Sequence, residues 1–281
     1  MEKIIRAVQE SKREKAKYTK TDDLPHQIIP NAILNEAVQP GNDDTNIKYE
    51  QTRIVTLNHE HLAKNRIVAF NKNNNLSLGF DILRTQVIKK MEKNGWNTIA
   101  ITSPIPACGK TMVSINLAMS IAHHTNRTSM LVDFDLRRPS VAKYLGLTTS
   151  PSLNDVLAGE ASVAESLVNP GLERFVVLPT AIPVKHPSEV LSSSKVTNLI
   201  TEFRDRYAER IVIFDLPPLL GTDDAMIMLS QVDCVLIVVG DGMVSNTDLT
   251  ESLRYVDSEK LLGTILNKST RMQFNRGYYD Y

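Results

Sequence analysis

The sequence predicts an α/β protein: a mostly parallel sheet with helices on both faces, preceded by a helical and extended N-terminal arm. Three observations carry this prediction. Beyond about residue 76, six short apolar, β-branched runs recur at helix-length intervals. Each run is continuous rather than alternating, which marks strands buried on both faces. With 281 residues and 42% apolar composition, the chain can bury one sizeable core.

The elements follow in chain order. Residues 1–20, "MEKIIRAVQESKREKAKYTK", are expected to form a short helix with an Ile4/Ile5/Val8 stripe and seven basic against three acidic residues. Such a helix is either a solvated face or a docking element for a partner or an anionic membrane surface. Residues 21–75 are rich in Asn, Asp, Pro and Gln and read as a mostly extended linker, with one strand near "RIVTL". The arm is therefore assigned to residues 1–75, the α/β domain to 76–270 and a tail to 271–281.

Within the domain, "LSLGFDILRTQVIKKMEK" places Leu83, Val87 and Met91 at helical spacing. The strands are then "TIAIT", "SMLVDF", "RFVVLP", "RIVIFD", "CVLIVV" and "LGTILN". In open sheets of this type ligands bind beyond the carboxyl ends of the strands. At the end of the first stands "SPIPACGKT", residues 103–111, directly before the helix "TMVSINLAMSIAHH". Strand, loop and helix in that order bring backbone N–H groups and a helix N-terminus onto one anion, which is the phosphate-loop arrangement. The candidate nucleotide-binding residues are Pro106, Ala107, Cys108, Gly109, Lys110, Thr111 and Met112. Lys110 is expected to reach the β- and γ-phosphates and Thr111 to ligate Mg²⁺. Pro104 stands where the strict pattern has Gly, and Ala107 and Cys108 narrow the backbone freedom of the loop.

Two further strands end in acids. "LVDFDLRRP" carries Asp133, Asp135 and Arg137, and "IVIFDLPP" carries Asp215. A carboxylate facing a phosphate loop holds Mg²⁺ directly or through water, and buried strands rarely end in unpaired acids because desolvation opposes it. The residues thus predict a P-loop nucleoside triphosphatase fold binding ATP and Mg²⁺, with Thr111, Asp133 and Asp215 as metal candidates. Lys110, Asp133 and Asp135 are the catalytic candidates, and either acid can serve as base. Lys110→Met is expected to abolish turnover while the fold persists, the side chain being placed at a solvent-filled loop.

Composition sets bounds. Lys+Arg and Asp+Glu are both 32, which gives no electrostatic case for nucleic acid, and none is expected as a partner. Cys108 and Cys234 stand apart without ligand-like spacing, so neither a disulfide nor a metal site is expected of them, in keeping with a reducing cytoplasm. No apolar run nears the roughly 20 residues that cross a bilayer, and no apolar leader opens the chain. His123 and His124 read as a polar helix end rather than ligands. Lys185 and His186 read as surface loop before a helix starting near Ser188 with Glu189 in its first turn.

"ITSPIPACGKT", "LVDFDLRRPSV" and "IVIFDLPPLL" resemble the Walker A, A′ and B motifs of the bacterial tyrosine autokinases that accompany capsule and exopolysaccharide export. The resemblance covers roughly residues 76–270 and includes "HPSEVLSSSKV" and "LLGTILNKS". The partition and division-site ATPases are related, but carry a further lysine at the place of Ile105. The resemblance implies ATP-dependent transfer of phosphate to tyrosine in trans. It makes Tyr278, Tyr279 and Tyr281 of "RGYYDY" the acceptors, with Arg271 and Arg276 at hand to pair with the added phosphates. It places Arg137 in the nucleotide site and Asn267 at the adenine base. It also implies self-association, a separate membrane-bound activator of polysaccharide export, and a cytoplasmic protein held at the membrane by that partner. Ring-forming members carry Glu-x-x-Arg-x-x-Arg before the first strand, where this chain has Leu78, Asp81 and Arg84. A partner-switching ATPase and a nucleotide-bound scaffold are the alternative readings.

Overall fold

The computed structural model describes residues 52–72, 75–123, 127–206 and 209–269. The predicted basic helix and the tyrosine tail therefore lie outside the described residues.

In chain order the elements are β1 (Arg53–Ile54), α1 (His59–Lys64), α2 (Leu78–Asn94), β2 (Thr98–Thr102) and α3 (Lys110–Ala122). They continue with β3 (Thr128–Asp133), α4 (Val141–Leu145), α5 (Leu153–Ala158), α6 (Val163–Ser166), β4 (Val168–Asn169) and β5 (Phe175–Leu178). The last are α7 (Pro187–Leu191), α8 (Ser194–Asp205), β6 (Arg210–Asp215), α9 (Asp224–Leu229), β7 (Cys234–Gly240), α10 (Asn246–Arg254) and β8 (Leu261–Asn267). All six predicted strands form within a residue or so of their expected ends.

The strands make one sheet in the order β1-β4-β5-β3-β6-β2-β7-β8. Every pair is parallel except β4 with β5. All residues of β2, β3, β5 and β7 are buried, so helices must cover both faces, as continuous apolar strands require. Register then does what sequence spacing cannot. Asp133 pairs with Asp215 across β3 and β6, and Ile101 of β2 lies on the other side of Asp215. The carboxyl ends of three strands meet at one edge, each contributing a loop.

The strand expected near "RIVTL" forms as β1, which extends the sheet by pairing with β4. The reading of the rest of residues 21–75 as extended linker is corrected over its described part, where α1 follows. Leu57, Leu62, Ile67 and Ala69 are buried in the core. The decisive anchor is Asn116, wholly buried on α3. Its Oδ1 accepts from Val68 and Ala69 N–H at 2.8 and 2.9 Å, and its Nδ2 donates to the Arg66 carbonyl at 3.0 Å. His123 Nε2, at the end of α3, lies 2.9 Å from the Ala69 carbonyl oxygen, so this histidine caps and tethers, as its non-ligand reading expects. Sparse apolar residues in a polar segment hid this docking, because the partners of Asn116 lie nearly 50 positions away in sequence.

Candidate phosphate-loop site

The loop 103–109 leaves β2 and enters α3 through two left-handed residues, Ala107 at φ 64° and Gly109 at φ 92°. For Ala107 that conformation is strained by roughly 1–2 kcal/mol, since its Cβ crowds the backbone. At Gly109 a Cβ would also run into the side chain of Asn267, so only glycine fits. Asn267, at the end of β8, donates from Nδ2 to the Cys108 carbonyl at 2.8 Å. It thus braces the loop. Cys108 is buried and free, with no disulfide. Cys234 is also free, its thiol pushed up to about 12 by burial beside Asp233.

α3 begins at Lys110, so its first N–H groups have no partner inside the helix and aim at the loop's concavity. Thr111 Oγ1 donates to Asp215 Oδ2 at 2.6 Å, and Ser114 Oγ donates to Asp215 Oδ1 at 3.0 Å. Thr111 Oγ1 also lies 3.1 Å from Ser140 Oγ. Asp133 accepts on Oδ2 from the N–H groups of Ser140 and Val141, both at 2.9 Å. Both strand-end acids are fully buried. Burial, reinforced by the neighbouring Asp215 charge, pushes the Asp133 carboxyl up to about 8. Asp215 is raised too, by burial first, with Lys110 and Thr111 pulling the other way.

Lys110 is the positive centre of this group. Its Nζ lies 2.7 Å from Asp135 Oδ2 and 3.7 Å from Asp215 Oδ2, and its side chain is only 12% exposed. Burial alone would lower its pKa, yet the charges of Asp215 and Asp135 outweigh that and raise it. The expected placement of Lys110 in a solvent-filled loop is corrected: the side chain borders the cavity but is enclosed among carboxylates, so its removal would leave buried negative charge.

A cavity of about 490 Å³ opens in front of the loop. Pro106, Ala107, Gly109, Lys110, Thr111 and Asp135 line one side of it. Asp133 and Asp215 sit behind Thr111 rather than on the cavity wall. Arg137 reaches the cavity, but its guanidinium is committed to Asp224, through Nε to Oδ2 and through Nη2 to Oδ1 at 3.1 Å. Asp224 opens α9 and also accepts from Ser188 Oγ at 2.8 Å, so one acid joins the β3, α7 and α9 segments. Sequence reading missed Asp224, Ser114, Ser140 and Asn116. Only Asp224, an acid at a helix start in "TDD", left a local signal. Among the described residues no group of three or more His, Cys, Asp or Glu could hold a metal by itself. The oxygen set of Thr111, backed by Asp215 and Asp133, still suits Mg²⁺, which usually keeps waters and phosphate oxygens as most of its ligands.

Comparison with known proteins bears on this arrangement. A family model described as an AAA domain matches residues 96–269. The tyrosine-protein kinase YwqD of Bacillus subtilis is 30% identical over 201 residues, covering 70% of this chain and 83% of that protein. The chain belongs to the bacterial tyrosine-protein kinase family. Within the family, the tyrosine-protein kinase wzc of Salmonella typhimurium is 30% identical over 205 residues, 71% of this chain and 28% of wzc. The chain thus spans about a quarter of the length of the longer family members it matches. The kinase domain of the Escherichia coli tyrosine kinase ETK superposes with TM-score 0.63 at 27% identity, over 72% of this chain and 80% of that domain. The P-loop α/β fold is therefore shared with kinase domains of the family. In the Glu-x-x-Arg-x-x-Arg positions Asp81 and Arg84 pair with each other at 2.9 Å, and both bond Ser120 of α3. No helix among the described residues is long and apolar enough to cross a membrane.

Proposed function

We propose that this protein is an ATP-dependent protein-tyrosine autokinase of capsule or exopolysaccharide production. The observation that carries the reading is the Lys110–Asp135 pair, facing a cavity beside Thr111 in a chain of the tyrosine-protein kinase family. A cation and a carboxylate, side by side at a helix N-terminus, are what transfer from a nucleotide to a hydroxyl needs.

The roles follow from position. The α3 N-terminus and the loop backbone cradle the phosphates, and Lys110 neutralises the β,γ-oxygens. Thr111, with Asp215 and Asp133 behind it, would hold Mg²⁺, which when bound offsets phosphate charge. Asp135 is the acid that lines the cavity, whereas Asp133 is enclosed, so Asp135 is the better-placed base. It takes the tyrosine hydroxyl proton as the phenolic oxygen bonds to the γ-phosphorus and the bond to the ADP oxygen breaks. Asn267 and Met112, both beside Gly109, are the residues that would meet the adenine base. The acceptors are Tyr278, Tyr279 and Tyr281 of a second copy, which requires self-association. A membrane-bound activator of polysaccharide export, acting from outside this chain, would recruit it to the inner membrane face.

The test mixes active protein lacking residues 277–281 with an intact Asp135→Asn protein, which keeps Lys110 balanced by Asp215. After ATP and Mg²⁺ are added, mass spectrometry locates phosphotyrosine. Phosphate on the inactive partner's tail is expected. ATP hydrolysis with no phosphotyrosine, even with the activator's cytoplasmic segment supplied, would make the protein a switch ATPase instead.

A further inference from the structure

One hydroxyl at the cavity has no use in the folded protein. Thr222, seven residues beyond Asp215, lines the cavity, yet its Oγ1 is enclosed and has no hydrogen-bond partner. A buried hydroxyl left unsatisfied is unfavourable, and such groups call for an explanation. The loop that carries it is firmly placed. Thr102 Oγ1 donates to the Pro217 carbonyl at 2.7 Å, and the N–H groups of Leu219 and Leu220 donate to the Ser103 and Pro104 carbonyls at 2.8 and 3.0 Å. On the far side, Ser188 Oγ shares its proton between Asp223 and Asp224, at 2.7 and 2.8 Å, and Arg137 holds Asp224. Gly221 makes the turn between these anchors at φ 113°, with open space around its Cα, so its glycine serves the backbone. The wall so built consists of Pro217, Pro218, Leu220, Gly221 and Thr222, and Thr222 is its one polar side chain.

We propose that Thr222 is a nucleotide-contacting residue whose hydroxyl turns into the cavity and donates a hydrogen bond to the terminal phosphate of a nucleoside triphosphate. This rests on the nucleotide reading above. Rotation about χ1 gives up no hydrogen bond, because the resting hydroxyl makes none, so a phosphate oxygen is a net gain. The phosphates nearest the loop are served by backbone N–H groups and Lys110. A donor on the otherwise apolar Pro217–Thr222 wall is free for the last one. The site would then distinguish triphosphate from diphosphate through this residue.

The experiment measures binding of ADP and of a non-hydrolysable β,γ-imido ATP analogue, each with Mg²⁺, to the full chain by titration calorimetry. Thr222→Val keeps the shape and deletes the hydroxyl. It should weaken analogue binding about 10- to 100-fold, the range of a hydrogen bond to a charged group, and leave ADP binding unchanged. Thr222→Ser should restore the preference. Ligand-free Thr222→Val should melt at or above the wild-type temperature, because an unsatisfied hydroxyl has gone. Unchanged analogue affinity, an equal loss for both nucleotides, or a clearly lower melting temperature without ligand each overturns the proposal alone. Wild-type protein that binds neither nucleotide would instead remove the nucleotide reading and this inference with it.

Discussion

Lys110→Met tests the charge arrangement at the centre of the molecule. The lysine is 12% exposed and lies 2.7 Å from Asp135 and 3.7 Å from Asp215, with Asp133 next to Asp215 in the sheet. Removing one partner of a buried ion pair leaves the other charge uncompensated, at about 3–5 kcal/mol. At pH 8 the loss is near that figure, limited only by how readily a carboxylate takes up a proton. Asp133, whose carboxyl is already raised to about 8, takes one up most easily. As pH falls toward 5, Asp133 becomes neutral in the variant and the loss shrinks. Urea unfolding of the ligand-free proteins at pH 5 and pH 8 measures it, provided the denaturant slope is unchanged. Adding Asp135→Asn to Lys110→Met should recover part of the loss at pH 8. A destabilisation under about 1 kcal/mol at pH 8, or a larger one at pH 5 than at pH 8, would refute the enclosed-cation picture.

Two further outcomes are expected. Ala107→Gly should stabilise the ligand-free protein by about 0.5–1 kcal/mol, because relief of the left-handed strain exceeds the added unfolded-state entropy; thermal melting checks it. Asp133 is a carboxyl whose pKa is raised on folding, so its contribution is fully present below its unfolded pKa and is lost as pH rises through about 8. Ligand-free wild-type protein should therefore lose stability from about pH 4 to pH 8, and Asp133→Asn should flatten that slope in a series of melting curves. The raised Lys110 pKa acts only above this window.

Much of the fold was legible because its signals are local. A continuous run such as "IVIFD" announces a strand covered on both faces, and "GKT" after a strand announces a helix N-terminus aimed at an anion. The identities of Lys110, Thr111, Asp133, Asp135 and Asp215 were all readable in that way. What they do to one another was not. The neighbourhood of Asp133 and Asp215 is set by the β3–β6 register, which joins segments about 80 residues apart. The same pairing encloses Lys110 and turns a residue expected in solvent into the counter-charge of a buried acid group. Arg137 is drawn to Asp224, and residues 66–69 to Asn116, by partners that no spacing rule connects. Sequence alone determined which residues stand at the strand ends and loops, because backbone periodicity and turn chemistry act over a few positions. Tertiary structure decided which charges meet and which are shielded from water, because electrostatics and desolvation depend on distance through space.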